Sequence, residues 1–152
     1  MLKSFAHTGF VVSNLERSIA FYTEVIGLSL MRQSENSSEA LAQVVGYTNV
    51  HVKIASLNLG NGHQLGLVEY VEPSSEHLNI EPKNICASHL AFFVEDIEDF
   101  YERKSLEGLS CVTPPIHFSM QGDNGYGSGK SFYAQDPDGN WLEFIENLMS
   151  ET

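Results

Sequence analysis

Apolar residues along this chain recur at every second position in some stretches and every third or fourth in others. Where the period changes, one element gives way to the next. Phe5–Ser13 alternates as a strand. Asn14 is a good N-cap for a helix over Leu15–Ile26, in which Leu15, Ile19, Tyr22 and Ile26 share a face, and Gly27 stops it. Leu28–Ser34 returns as a strand, Glu35–Glu39 is a polar loop, and Ala40–Val45 fits a helical turn. Val50–Leu59 and Gln64–Val71 form a hairpin across Gly60-Asn61-Gly62. Glu72–Ile85, with two prolines, reads as a linker.

The pattern then starts again. Ala87–Val94 is a strand, Asp96 caps a helix over Ile97–Leu106, and Gly108 ends it. Leu109–Thr113 is a strand and Pro114–Ser128 a glycine-rich loop. Ser131–Gln135 and Asn140–Glu146 pair across the turn Asp136-Pro137-Asp138-Gly139. The halves also align residue by residue. HTGFVVSNLERSIAFY from His7 matches HLAFFVEDIEDFY from His89, and Leu65–Glu69 matches Leu142–Glu146. Each half is β-α-β-β-β. The expectation is an α+β fold of two tandem βαβββ modules, residues 4–72 and 86–148, within a single domain spanning 1–152. Their mixed sheets would form a curved trough with the helices outside.

Composition narrows the partners. With 42% hydrophobic and 18% charged residues the chain is globular. The net charge of −12 and only eight Lys and Arg, all scattered, argue against nucleic acid or an anionic membrane. Two cysteines, Cys86 and Cys111, do not make a disulfide framework and suit a reduced, cytoplasmic setting. The N-terminus lacks the apolar core of a signal peptide, and no apolar run reaches the ~18 residues of a membrane span.

The repeat also gathers candidate chemistry. In the last strand Trp141, Glu143 and Ile145 share one face, and a carboxylate among apolar neighbours calls for a cation or for water. His7 and His89 occupy the same point of each first strand. A lone strand histidine is most simply a hydrogen-bonded core imidazole. Two at equivalent sites, facing Glu143, point instead to a two-His-one-carboxylate site for one divalent ion: Fe, Mn, Ni, Co or Zn. Gly66 holds the place in the first module that Glu143 holds in the second, and it has no donor side chain. Gln64 shares its face two residues away and would need a bulge to substitute, whereas Glu69 points to the other face.

These stretches resemble the vicinal-oxygen-chelate superfamily, which includes glyoxalase I, methylmalonyl-CoA epimerase, extradiol dioxygenases and the fosfomycin- and bleomycin-resistance proteins. The resemblance lies in His7-Thr8 followed by NLERSIAFYTEVIGL, Arg32 with Ser34-Glu35-Asn36, His89, and DPDGNWLEFIE, and covers nearly the whole chain. The first stretch is most similar to bacterial glyoxalase I. The resemblance implies metal ligands at His7, His89 and Glu143, with Gly66 departing from the pattern at the fourth. It also implies a homodimer and a small substrate chelated through two oxygens. The reaction it implies is a lyase or isomerase step through an enolate-type intermediate, with Glu143 serving as both ligand and base or another group helping.

Three alternatives come with the same superfamily. Phe132-Tyr133-x-x-Asp136-Pro137-x-Gly139-x-x-x-Glu143 is similar to the extradiol signature, but Asn124, Gly125 and Tyr126 stand where its acid–base histidine belongs. Fosfomycin-type transfer wants several cations, and only Lys130 is near in sequence. Metal-free drug sequestration generally goes without the His/His/Glu set. Outside these residues, His117, Tyr126 and Lys130 on the glycine-rich loop are candidate lid contacts. Arg17 and Arg32 are candidate carboxylate binders. His51, His63 and His77 read as strand-end, turn and linker residues, and Phe5, Phe10, Phe21, Phe92, Phe100 and Phe144 as packing.

Overall fold

The structure is a computed structural model that describes residues 1–119 and 128–147. The chain divides into two compact units, Met1–Leu78 and Asn79–Thr152.

The first unit is a four-stranded sheet in the order β1-β4-β3-β2. Its strands are β1 (Thr8–Val11), β2 (Ser29–Asn36), β3 (His51–Gly60) and β4 (His63–Glu72). β1 runs parallel to β4, while β3 is antiparallel to both β4 and β2. Between β1 and β2 lies the expected helix, as α1 (Leu15–Ala20) continued by a π-helical turn over Phe21–Val25. Asn14 caps it as read: its side chain accepts from the Arg17 N–H at 2.9 Å. Gly27 ends it at φ +92°, a conformation that costs glycine nothing. The Ala40–Val45 stretch is a full helix, α2 (Glu39–Val45), capped by Ser38.

The second unit repeats the plan: β5 (His89–Phe93), α3 (Ile97–Leu106), β6 (Ser110–Cys111), β7 (Ile116–Ser119), β8 (Ser128–Gln135) and β9 (Trp141–Asn147). β5 is parallel to β9, and β8 is antiparallel to β9. Here the sequence reading needs revision. Part of the stretch expected to be loop is β7, which pairs with β8 on the edge that β6 also uses. Pro114 and Pro115 have no N–H to give the ladder, so the edge strand breaks at them and resumes at Ile116. β6 and β7 together stand where β2 stands in the first unit.

The cores follow the parity read from sequence. Leu57, Leu65 and Leu67 are fully buried with Leu15 and Tyr22 in the first unit. In the second, Phe144 is buried between the rings of Phe92 (5.6 Å), Phe100 (4.7 Å) and Phe132 (5.1 Å). Phe5 is the exception. β1 pairs only from Thr8 onward, so Phe5 lies outside the sheet, 61% exposed, with its ring edge on His63.

One tie recurs in both units. The Leu15 N–H, at the head of α1, donates to Glu69 Oε2 at 2.7 Å. The Ile97 N–H, at the head of α3, donates to Glu146 Oε2 at 3.4 Å. Both acids stand at the same place in their modules, and each satisfies a helix N–H that has no partner within the helix.

Candidate functional site

In the second unit the parallel pairing of β5 with β9 sets His89 against Trp141 and Ala91 against Glu143. Residues two apart on a strand share a face, so the imidazole and the carboxylate project to the same side. His89 Nε2 lies 3.3 Å from Glu143 Oε2, with the carboxylate 18% exposed and the imidazole 46%. β8 supplies the remaining partners. Ser131 Oγ donates to Glu143 Oε1 at 2.8 Å. Tyr133, directly opposite Glu143 in the ladder, donates its hydroxyl to Oε2 at 3.4 Å. Burial, and secondarily the neighbouring carboxylate, push the Tyr133 phenol above its ordinary value. Its ring meets His89 edge-on at 5.4 Å.

These groups line a cavity of about 590 Å³. Its other walls are largely apolar: Ala91, Val112, Ile116, Phe118, Phe132 and Ile145, with Thr113 at the edge. Ser131 and Tyr133 escape a motif reading: counting outward from the Asp136–Gly139 turn sets Tyr133 opposite Leu142, whereas the hairpin closes on Asp136 with Asn140 and sets it opposite Glu143. The Val112–Phe118 wall escapes because the proline pair hides β7.

In the first unit the corresponding rung pairs Gly9 with Gly66. A Cβ at Gly66 would lie 3.6 Å from His7 Cδ2 and 3.7 Å from the Thr8 carbonyl. His7 thus stands beside the position where the second unit carries its acid. Gln64 sits further along β4, opposite Asn58.

The structure brings His89 and Glu143 together within one unit. Among the described residues no group of three His, Cys, Asp or Glu side chains forms a metal-holding cluster. One imidazole nitrogen beside one carboxylate oxygen fits two positions of a borderline divalent ion such as Zn, Ni, Co, Mn or Fe.

Other candidates are placed elsewhere. Lys130 turns to Glu98 on α3, its Nζ donating at 2.5 Å, and does not line the cavity. His117 Nε2 is 3.4 Å from Ser128 Oγ. Tyr126, Asn124 and Gly125 lie outside the described residues. Trp141 donates its indole N–H to the Ile80 carbonyl at 2.8 Å, pinning the linker to β9. Arg17 reaches Ser13 Oγ on the helix surface, and His51 pairs with Glu35 at 3.0 Å.

Known proteins are similar to this chain over nearly its full length. Uncharacterized protein YwbC of Bacillus subtilis is 28% identical over 146 residues, covering 96% of this chain and 99% of that protein. A lactoylglutathione lyase of Haemophilus influenzae is 30% identical over 149 residues, covering 96% and 94%. The crystal structure of a glyoxalase family protein from Bacillus cereus superposes with a TM-score of 0.79 at 24% identity, covering 97% of this chain and 96% of that one. A glyoxalase I mutant from Zea mays gives 0.64 at 22% identity, covering 94% of this chain and 46% of that one. Residues 4–144 match the family model itself, so the chain belongs to the Glyoxalase/Bleomycin resistance protein/Dioxygenase superfamily.

Proposed function

We propose that this protein is a metal-dependent, glyoxalase-like lyase or isomerase acting on a small oxygen-chelating substrate. The observation that carries the proposal is the His89–Glu143 pair, 3.3 Å apart and lining a cavity of about 590 Å³. The lyase names of several curated relatives favour this over ring-cleaving dioxygenation or drug sequestration.

In this reading His89 and Glu143 hold one divalent ion, and the sequence repeat supplies His7 as the third donor. The ion, when bound, supplies Lewis-acid polarisation of substrate oxygen. Glu143 is the base. Its carboxylate takes a proton from the carbon beside a substrate carbonyl and returns it to the neighbouring atom. Ser131 fixes the carboxylate through Oε1, which leaves Oε2 facing His89 and Tyr133. A homodimer in the cytoplasm belongs to the same proposal. The two free cysteines suit the reducing cytoplasm.

Metal content after loading with each of the five ions, followed by turnover of the hemithioacetal of methylglyoxal and glutathione, tests the reading. Wild type should retain a stoichiometric ion and His7→Ala and His89→Ala should lose it, while Glu143→Gln loses turnover. Full metal retention by His89→Ala overturns the ligand assignment.

A further inference from the structure

Residues 79–88 open the second unit and contain neither helix nor strand. Their backbone bonds close two tight turns: the Asn84 N–H donates to the Glu81 carbonyl at 2.9 Å, and the Ala87 N–H to that of Asn84 at 3.0 Å. Residues 81–86 are exposed throughout, and the apolar Ile85 stands 96% in water. Cys86 holds φ +77°, a conformation that strains a residue with a side chain and lasts only while its surroundings hold it. Among the described residues, the hydrogen bond that ties this segment to the sheet is the one from the Trp141 indole N–H to the Ile80 carbonyl, 2.8 Å long. At its other end the segment runs straight into β5, whose first residue is His89. Between segment and sheet lies a second cavity of about 280 Å³. Pro82, Ala87 and Ser88 line it from the segment, and His89, Tyr133 and Trp141 from the sheet. His89 and Tyr133 also line the larger cavity, so the pair borders both. Trp141 meets the Tyr133 ring edge-on at 6.3 Å, as Tyr133 meets His89 at 5.4 Å.

We infer that residues 80–88 are a strap that opens and closes over His89 and Tyr133, and that the Trp141–Ile80 hydrogen bond is its latch. One neutral hydrogen bond is a weak tie, and the strain at Cys86 acts against it. Release at Ile80 leaves the strap hanging from His89 and opens the small cavity to solvent. The sheet keeps its ladder while this happens, so the opening is local. One consequence rests on the reading above. An ion held by His89 and Glu143 fixes the residue from which the strap hangs, and so favours the shut state.

Limited trypsin digestion of the full chain, with fragments sized by mass spectrometry, tests the latch. Lys83 lies on the strap with its side chain 79% exposed, so cutting after it reads the opening. Lys130 lies within β8, where cutting requires the sheet to come apart. In metal-free protein, Trp141→Phe should speed cutting at Lys83 by about threefold to tenfold, the worth of one neutral hydrogen bond, and leave Lys130 unchanged. No increase at Lys83, or an equal increase at both lysines, overturns the latch. Should Trp141→Phe fail to fold, Pro82→Gly loosens the strap and leaves the indole in place. Trp141 is the only tryptophan of the chain, so acrylamide quenching of its emission reads this variant. The quenching constant should rise, and an unchanged one overturns the inference. One equivalent of zinc should slow cutting at Lys83 about threefold or more in wild type and not in His89→Ala. Zinc bound without that slowing overturns the link between strap and site and leaves the metalloenzyme reading standing. A protein that binds no zinc overturns that reading and the link together, and the metal-free comparison of Lys83 with Lys130 still decides the latch.

Discussion

Gly66 and Gly129 are both strand glycines, and the structure assigns them opposite tolerances. A Cβ at Gly129 would fall 2.5 Å from the Glu146 carbonyl oxygen and 2.9 Å from Phe118 Cζ. Carbon atoms rest about 3.5 Å or more apart, so the Phe118 ring would have to retreat by roughly 0.6 Å. The ring can tilt, but the carbonyl belongs to the β8–β9 ladder and cannot move alone. Overpacking of this kind costs about 1–3 kcal/mol, and a clash with backbone places Gly129→Ala near 2 kcal/mol. At Gly66 the nearest atoms to the same Cβ are at 3.6 and 3.7 Å, ordinary contact. Alanine also loses less chain entropy in a strand than glycine, so Gly66→Ala should be neutral or stabilising by up to about 1 kcal/mol. Urea unfolding reads both. With a slope of about 2 kcal/mol per molar, Gly129→Ala should lower the midpoint by about 1 M, and Gly66→Ala should leave it or raise it. A Gly66→Ala protein destabilised as much as Gly129→Ala would refute the reasoning. Glycine at 66 would then answer a structural demand, and its lack of a donor would say nothing about chemistry.

Other substitutions read the packing and capping directly. Phe144→Ala removes a fully buried ring stacked among three others and should cost about 3–5 kcal/mol by the same urea assay. Glu69→Ala leaves the Leu15 N–H without its acceptor and should cost about 1–2 kcal/mol, and Glu69→Gln, which keeps an acceptor oxygen, about half of that. Burial pushes the Cys111 thiol above its ordinary value, opposed by its contact with Ser105. Less thiolate is then present near pH 8, so a disulfide reagent should modify exposed Cys86 first. The Cys111 rate should still be climbing at pH values where an ordinary thiol has levelled off; equal rates at both cysteines would refute this.

Much of this molecule is legible in the sequence because its duplication doubles every signal. Asn14 and Asp96 cap their helices as read, and the pairing of Gly66 with Gly9 mirrors that of Glu143 with Ala91, as the repeat alignment implies. What the sequence hides is set by tertiary pairing. Ile116–Ser119 alternates apolar and polar side chains over only four residues, straight after two prolines, and becomes a strand because β8 offers it a free edge. Phe5 looks like core from hydrophobicity alone, yet β4 has no partner for it. Ser131 and Tyr133 are ordinary strand residues until the hairpin register sets them against Glu143.

The carboxylates that close the helix heads bear on how the chain is made. Glu69 lies 54 residues beyond Leu15, and Glu146 lies 49 beyond Ile97. A ribosome therefore delivers each helix long before the acid that completes its first turn, and each opening strand long before the parallel neighbour that gives it a sheet. Neither half can finish when its helix emerges. The first settles only after its fourth strand has left the exit tunnel, and the second only after β9 has.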